Sequence, residues 1–264
     1  MWRILAARLQ QKFRTYNYPL REPALPPRFQ GKPVVAAGPV ADAARVAAVC
    51  PTGALEAGVD GRLRLDLGCC IFCGECEQAS AGQGVQFTRE YRLAAKRRDD
   101  LVLAGGEATL ADALHREAAR LFGRSLKLRQ VSAGGCNACE ADTNVLNTPV
   151  FDLGRFGIHF VASPRHADGL LITGPVTRNM ELALRKTYEA VPAPKIVIAV
   201  GACAISGGIY RGHDETHSGA GGLVPVDLFV PGCPPNPWTI LDGLLRFLGR
   251  LPARARTRKE DERR

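Results

Sequence analysis

The stretch Cys70-Ile71-Phe72-Cys73-Gly74-Glu75-Cys76 spaces three cysteines as C-x2-C-x2-C, and a proline-followed cysteine, Cys50-Pro51, stands twenty residues before it. A run of this kind wraps three thiolates around one iron–sulfur cubane. The chain has nine cysteines in 264 residues. Most lie in C-x2-C spacings, which suit metal or redox chemistry better than a disulfide framework.

Bacterial two-cluster ferredoxins duplicate the run and take each cluster's fourth ligand from the other half. Cys50 falls where the first half should end. Counting back from it with the same spacing reaches Val40, Ala43 and Val46, and counting forward from Cys76 reaches Ser80. Those four positions would together hold one cluster, while 50, 70, 73 and 76 would hold the other. One site is lost as a unit and the other kept whole. Cys50, Cys70, Cys73 and Cys76 therefore read as one 4Fe-4S site.

The length allows two small domains, each with a buried core. Apolar residues make up 46% and charged residues 23% of the chain, ordinary values for a soluble globular protein. Met1-Trp2-Arg3-Ile4-Leu5 shows no apolar h-region or cleavage site, so no secretory signal is expected. The longest apolar runs, such as Ile196 to Val200, fall far short of the roughly 20 residues of a membrane span. A soluble, cytoplasmic protein is expected. The net charge of +9 gathers at the ends: residues 1–35 carry +6 and residues 246–264 carry +5, leaving −2 between them. Basic ends suit docking to a partner or to an anionic membrane surface, or serve only as solvated tails. No aromatic-interleaved basic stripe accompanies them, so nucleic acid is not an expected partner.

Residues 1–35 open with a basic amphipathic stretch (Trp2, Ile4, Leu5, Leu9, Phe13) and continue as a proline-rich arm with Pro19, Pro23, Pro26, Pro27 and Pro33. The extended backbone that prolines impose is expected to lie along another surface. Residues 36–104 form the expected ferredoxin-like domain, with a strand-like Gly84-Val85-Gln86-Phe87 and the charged run Lys96 to Asp100. Gly105-Gly106 marks a boundary, and residues 108–122 read as a helix through Leu110, Ala113, Leu114, Ala118 and Leu121. From about 126 strands alternate with helices. Strands are expected at 126–131, 158–161, 169–173, 195–200 and 226–230, with a helix at 178–190. A last helix runs to about 248, with Asn236 at its N-cap and Pro237 at its first position. The pattern predicts an α/β domain over 105–250 built on a flavodoxin-like, doubly wound parallel sheet. A small α+β ferredoxin-like domain precedes it and a charged tail, 251–264, follows.

Four further cysteines, Cys136, Cys139, Cys203 and Cys233, each lie in a segment that follows a predicted strand. The carboxyl ends of strands in an open α/β sheet line one crevice, so the four thiolates can converge although 94 residues separate Cys139 from Cys233. Flanking glycines (Gly134, Gly135, Gly201, Gly207, Gly208, Gly232) let the backbone approach a bulky cluster and donate N–H groups to its sulfurs. A structural zinc is the competing occupant; a second cubane makes the simpler electron relay. Cys69 is expected to pack beside the first cluster as a small hydrophobe.

Residues 126–249 carry Gly134-Gly135-Cys136-Asn137-Ala138-Cys139-Glu140, Phe156-Gly157-Ile158 and Ser163-Pro164-Arg165-His166-Ala167-Asp168. Thr173-Gly174-Pro175-Val176-Thr177-Arg178, Gly201-Ala202-Cys203 and Pro231-Gly232-Cys233-Pro234-Pro235 follow in order. With these blocks the region resembles the 20-kDa-type subunit shared by respiratory complex I and the membrane-bound, complex-I-related (group 4) nickel–iron hydrogenases, including formate hydrogenlyase-type complexes. The resemblance implies that Cys136, Cys139, Cys203 and Cys233 bind the 4Fe-4S cluster nearest the large subunit's active site. Complex I usually has adjacent cysteines at the first pair and Ser-Pro-Arg-Gln at the later block. The C-x2-C pair here and Ser163-Pro164-Arg165-His166 favour the hydrogenase branch. Residues 19–98 resemble the two-cluster ferredoxin subunit of the same complexes, fused in front and missing one cluster site.

The resemblance implies an oxidoreductase subunit that transfers electrons, with two 4Fe-4S clusters and the active site on a partner. The implied partners are a hydrogenase large subunit, membrane-arm subunits, and a ferredoxin or formate dehydrogenase-type electron partner, on the cytoplasmic face of the inner membrane. A quinone-reducing complex-I-like module and a nickel-free adaptor are the alternatives. Glu140 is read either as a proton relay or as a carboxylate stabilised by a helix N-terminus. Arg165 and His166 either contact the partner, tune the cluster, or form an ordinary turn fixed by Pro164. His213 and His217 read as solvent-exposed loop residues.

Overall fold

Gly169–Thr173 and Ile196–Val200 are buried at every position, the mark of central strands in a parallel sheet covered on both faces. The computed structural model describes residues 2–12, 14–105, 122 and 125–251. The helix read over 108–122 (Phe122 apart) and the tail beyond 251 lie outside the described residues. Ten strands are described: β1 Pro33–Val35, β2 Leu55–Ala57, β3 Leu63–Asp66, β4 Val85–Phe87, β5 Val102–Leu103, β6 Leu126–Ser132, β7 Ile158–Phe160, β8 Gly169–Thr173, β9 Ile196–Val200 and β10 Leu228–Val230.

The last five form one sheet in the order β10-β9-β8-β6-β7, parallel at every pairing. Counted from β6 this is the order 2-1-3-4-5, a flavodoxin-like winding, and its direction reverses between β6 and β8. Alternation along the strands divides two cores. Leu126, Leu128, Leu171, Ile198 and Val200 face the helix Pro237–Phe247, through Ile240, Leu241, Leu244 and Phe247. Leu170, Ile172 and Val197 face the helix Arg178–Ala190 through Leu184. The last helix starts as the sequence predicts: the Asn236 side chain accepts the N–H of Trp238 at 3.0 Å, with Pro237 following the cap.

The chain in front is α+β. β1 pairs antiparallel with β4, and β2-β3-β5 make a second antiparallel sheet. Its core is continuous with that of the parallel sheet, since Ala199, Ala204, Ile205 and Phe229 pack with Leu63, Leu65, Leu67 and Leu101. Ala95 and Phe229 exchange backbone hydrogen bonds of 3.0 and 2.8 Å, which covers the β10 edge. At the four positions read as a lost cluster site, the space is filled by side chains. Val46 is fully buried and Ala43 is buried. Val40, Leu63 and Ser80 crowd Gly84, within 2.9 to 3.1 Å of where a Cβ would sit. The Ser80 hydroxyl donates to the Glu77 carbonyl and accepts the Val85 N–H, both at 3.3 Å.

The proline-rich arm lies on its own chain. The Tyr16 N–H donates to the Val150 carbonyl, and Arg155 donates to the Tyr16 carbonyl at 2.7 Å. Tyr18 is buried against Trp238, 5.4 Å between ring centroids, and donates its hydroxyl to Asp242 at 2.6 Å. Glu22 pairs with Arg92, and Gly31 and Lys32 bond the backbone of Thr88 and Glu90. The helix before the arm, Trp2–Gln11, buries none of its residues and exposes Trp2, Ile4, Leu5 and Leu9.

Candidate metal centres

Three loops at the carboxyl ends of β6, β9 and β10 carry Cys136 and Cys139, Cys203, and Cys233. The chain turns sharply in each. Gly201 has φ +92°, and a Cβ there would stand 2.6 Å from the Cys139 sulfur. A side chain at Gly208 would meet the Cys203 sulfur at 3.0 Å. Glycine is thus what lets the β9 loop close on the thiols of its neighbours. The four sulfurs sense one another. Burial first, then Cys203, Cys233 and Cys136, pushes the Cys139 thiol well above its ordinary range, and burial with Cys233 and Cys136 pushes Cys203 up to about 11.

The other foursome behaves alike. Burial first, then Cys76, Cys50 and Cys73, pushes Cys70 up to about 12; burial with Cys73 and Cys50 pushes Cys76 up to about 11. Cys70 accepts the Phe72 N–H at 3.3 Å and Cys50 the Ala54 N–H at 3.2 Å. For Cys50 burial acts upward, but hydrogen bonds from Thr52, Leu55 and Ala54 carry the thiol below its ordinary value. Among the described residues no three cysteine, histidine or carboxylate side chains draw close enough to hold a single metal ion. A pocket of about 300 Å³ lies between the two loops, lined by Phe72 and Cys233 and by Arg28, Phe29 and Gln30 of the arm.

Glu140, on the helix Ala138–Val145, is buried at the switch between β6 and β8. One of its carboxylate oxygens accepts the hydroxyls of Ser132 at 2.6 Å and Thr173 at 2.7 Å, the last residues of those two strands. Glu140 therefore has specific donors besides the helix N-terminus. Its charge in turn contributes to raising Cys139 and Cys203.

Residues 136–247 match the family model of the NADH ubiquinone oxidoreductase 20 kDa subunit. Over 132 residues the chain is 44% identical to the probable membrane-bound hydrogenase subunit mbhJ of Pyrococcus furiosus, covering 50% of this chain and 79% of that protein. The chain belongs to the 20 kDa subunit family. Formate hydrogenlyase subunit 7 of Escherichia coli is 44% identical over 139 residues, 53% of this chain and 54% of that one. An NADH-quinone oxidoreductase subunit of Desulfovibrio desulfuricans is 41% identical over 113 residues, 43% of this chain and 61% of that one. The match thus spans little more than half the length of these last two family members. All three relatives are subunits of oxidoreductase complexes.

The family's remaining blocks fall in several places. Arg165 and His166 sit exposed in the turn Pro164–His166, which leads into the amino end of β8, opposite the cysteine loops. That placement favours the ordinary turn over cluster tuning. His213 is exposed as expected, but His217 is not: it is largely covered and pairs with Glu181 at 2.8 Å. Cys69 is buried, yet its surroundings are polar. It donates to Asp66 at 3.2 Å and receives Arg211 at 3.4 Å and Arg98 at 3.5 Å. The sequence reading missed Asp66, Arg98, Ser206 and Arg211, which no local pattern marks. It also missed Ser132 and Thr173, whose hydroxyls at strand ends facing the crevice were a usable signal.

Proposed function

We propose that the chain is the electron-transfer iron–sulfur subunit of a complex-I-related, membrane-bound nickel–iron hydrogenase. The observation that carries this reading is the placing of Cys136, Cys139, Cys203 and Cys233 in the loops after three neighbouring strands of the family region, with a second set of four cysteines, Cys50, Cys70, Cys73 and Cys76, in front of it. In this reading Cys50, Cys70, Cys73 and Cys76 hold a 4Fe-4S cluster in a ferredoxin-like domain over 36–104. Cys136, Cys139, Cys203 and Cys233 hold a second in the domain over 105–250. A bound cubane of this kind exchanges one electron at a time, at a potential set by hydrogen bonds, charge and burial. The chain's own part is to supply the thiolates, donate N–H groups to them, and keep water from their buried sides. Glu140, poised between two hydroxyl donors beside Cys139, holds or passes a proton next to the partner's active site.

The large subunit docks in this reading where Cys136 and Cys233 are exposed, and a ferredoxin or formate dehydrogenase-type partner meets the other centre. Among the described residues no helix is long and apolar enough to cross a membrane. Peripheral attachment to the cytoplasmic face is proposed through the membrane-arm subunits and through Trp2–Gln11. That helix sets Trp2, Leu5 and Leu9 on one face beside Arg3 and Arg8, the make-up of a helix lying on anionic lipid.

The test is the nickel and iron content of the native complex, recovered anaerobically through a tag on this chain. Nickel near one per complex is the expected result. An intact, iron-rich complex without nickel would move the reading to the quinone-reducing alternative, which the likeness to the NADH-quinone oxidoreductase relative keeps in view. Iron near eight per reconstituted chain is expected from two cubanes, and near four would remove one assignment.

A further inference from the structure

The two cysteine loops are joined by a polar seam. Cys203 and Ser206 lie on one short helix, Ala202–Ser206. The Ser206 hydroxyl donates across the seam to the Gly68 carbonyl at 2.8 Å, two residues before Cys70. The approach depends on Gly68, since a Cβ there would lie 2.8 Å from Ile205 and 2.7 Å from the Arg98 guanidinium. Beside this contact Asp66 binds Arg98 through two bonds of 2.7 and 2.5 Å and accepts the Gly68 N–H at 2.9 Å. Asp66 thereby balances Arg98. Arg211, from the other side of the seam, is anchored on the Cys69 sulfur, and among the described residues no carboxylate pairs with it. Its cation is exposed and meets the Cys69 sulfur, next to Cys70.

We infer that the Ser206–Gly68 contact is the route by which electrons cross between the two centres, and that Arg211 is a positioning residue whose charge sets the potential there. This inference rests on the two-centre reading above. The physical argument has two steps. From Cys203 to Cys70 the chain offers covalent bonds interrupted by one hydrogen bond, and electronic coupling falls off far less through bonds than through empty space. Each centre gathers four thiolates, and added negative charge is favoured by a nearby cation, here partly screened by water because Arg211 is exposed. The step itself moves one electron: one centre is oxidised by one and the other reduced by one, with no bond made or broken and no proton moved. The partner large subunit and the second redox partner supply and remove the electron.

The experiment uses the full reconstituted chain under anaerobic conditions, with iron content measured first. Iron near eight in wild type and variants admits the test; iron near four in wild type would overturn the two-centre reading and the inference with it. Midpoint potentials are then followed by electron paramagnetic resonance. Arg211→Gln is expected to make one centre harder to reduce, so that its reduced-to-oxidised ratio at a fixed potential falls about twofold, a shift of ~18 mV. Arg211→Lys, which keeps the charge, is expected to restore most of it. Ser206→Ala is expected to leave both potentials in place. After flash reduction with less than one electron per chain, freeze-quenched spectra should show the electron reaching the second centre several-fold more slowly. Unchanged potentials in Arg211→Gln, or equal shifts in the Gln and Lys variants, would overturn the role of Arg211. An unchanged transfer rate in Ser206→Ala would overturn the route.

Discussion

Tyr18 tests whether the proline-rich arm is a fixed cover over the cysteine loops. Its ring is 5% exposed and lies 6.5 Å from Tyr91 and 5.4 Å from Trp238. Its hydroxyl donates to Asp242, which keeps a second donor in Arg246 at 2.7 Å. Burial and then the charge of Asp242 hold that hydroxyl protonated far above the usual phenol range, so the bond is intact throughout the neutral range. Tyr18→Phe keeps the ring and deletes one hydrogen bond to a charged acceptor, which contributes about 1.5–3 kcal/mol. Because Arg246 still serves Asp242, the loss belongs at the lower end, about 1.5 kcal/mol. Tyr18→Ala also empties an aromatic site, which costs about 3–5 kcal/mol. The arm lines the pocket between Phe72 and Cys233, so its release opens both loops. Trypsin cleavage at the exposed Arg21 and Arg28 reads the opening directly. It should be about tenfold faster in Tyr18→Phe, since 1.4 kcal/mol is a factor of ten, and faster again in Tyr18→Ala. Iron–sulfur absorbance of the reconstituted chain should bleach in air in the same order. If Tyr18→Phe matches wild type in cleavage and Tyr18→Ala bleaches no faster, the arm is not a cover and the reasoning fails.

Other outcomes follow from the same geometry. Ser80→Cys should add no iron to the reconstituted chain, because Val40, Val46 and Leu63 fill the old site; a gain of four irons would show that the site survives. At Asp66 burial acts upward, but Arg98, Cys69 and the Gly68 N–H carry the pKa below the usual carboxylate value. Its stabilisation is thus present above the unfolded value near 3.9 and lost as pH falls through the lower folded one. Asp66→Asn should flatten that acid limb of an unfolding titration, and an unaltered limb would refute the pairing. With Cys70 near 12 and Cys76 and Cys203 near 11, these three apo thiols are protonated at neutral pH. Cluster assembly should therefore release protons and run faster at higher pH, which an indicator dye in weak buffer detects. Glu140→Gln keeps an oxygen for Ser132 and Thr173 and should fold normally while slowing proton-coupled turnover of the complex. Glu140→Ala strips both hydroxyls of an acceptor and should cost about 1–3 kcal/mol of stability.

The parallel sheet was legible because its two central strands, β8 and β9, are short apolar runs, and each cysteine loop of that sheet follows a strand end. Asn236-Pro237 announced the last helix for an equally local reason: a side-chain acceptor followed by a residue without an N–H. Local rules do not reach the contacts that fix the arm. Prolines specify an extended backbone but not the surface beneath it, and Tyr18 finds Asp242 across 224 residues. The seam was hidden in the same way. Gly68 and Ser206 lie 138 residues apart, and neither residue type carries a signature for such a contact. Cys69 was misjudged because a buried free thiol is most often a small hydrophobe. Here an aspartate on the same turn and two arginines from two other segments make its surroundings polar. His217 was read as exposed because glycine-rich loops usually are; Glu181, on a helix 36 residues earlier, covers it.

In the two-centre reading, the missing cluster site and the polar seam bear on each other. Val40, Ala43, Val46 and Ser80 pack against Leu63 and Gly84, and among the described hydrogen bonds none from these four side chains reaches the parallel-sheet part of the chain. The Cys50/Cys70/Cys73/Cys76 loop, by contrast, touches that part directly through Gly68 and Cys69. Under the proposed function, apolar side chains occupy the site that has no bonded link to the second unit, and the cysteines stand at the one that has. Under the proposed function this leaves a relay of two centres with two open edges. Cys73 is exposed on one, and Cys136 and Cys233 on the other. A redox partner need then meet only one edge. A charged substitution beside Cys73 should hinder the outer partner and leave hydrogen-side chemistry intact, whereas one beside Cys136 should do the reverse.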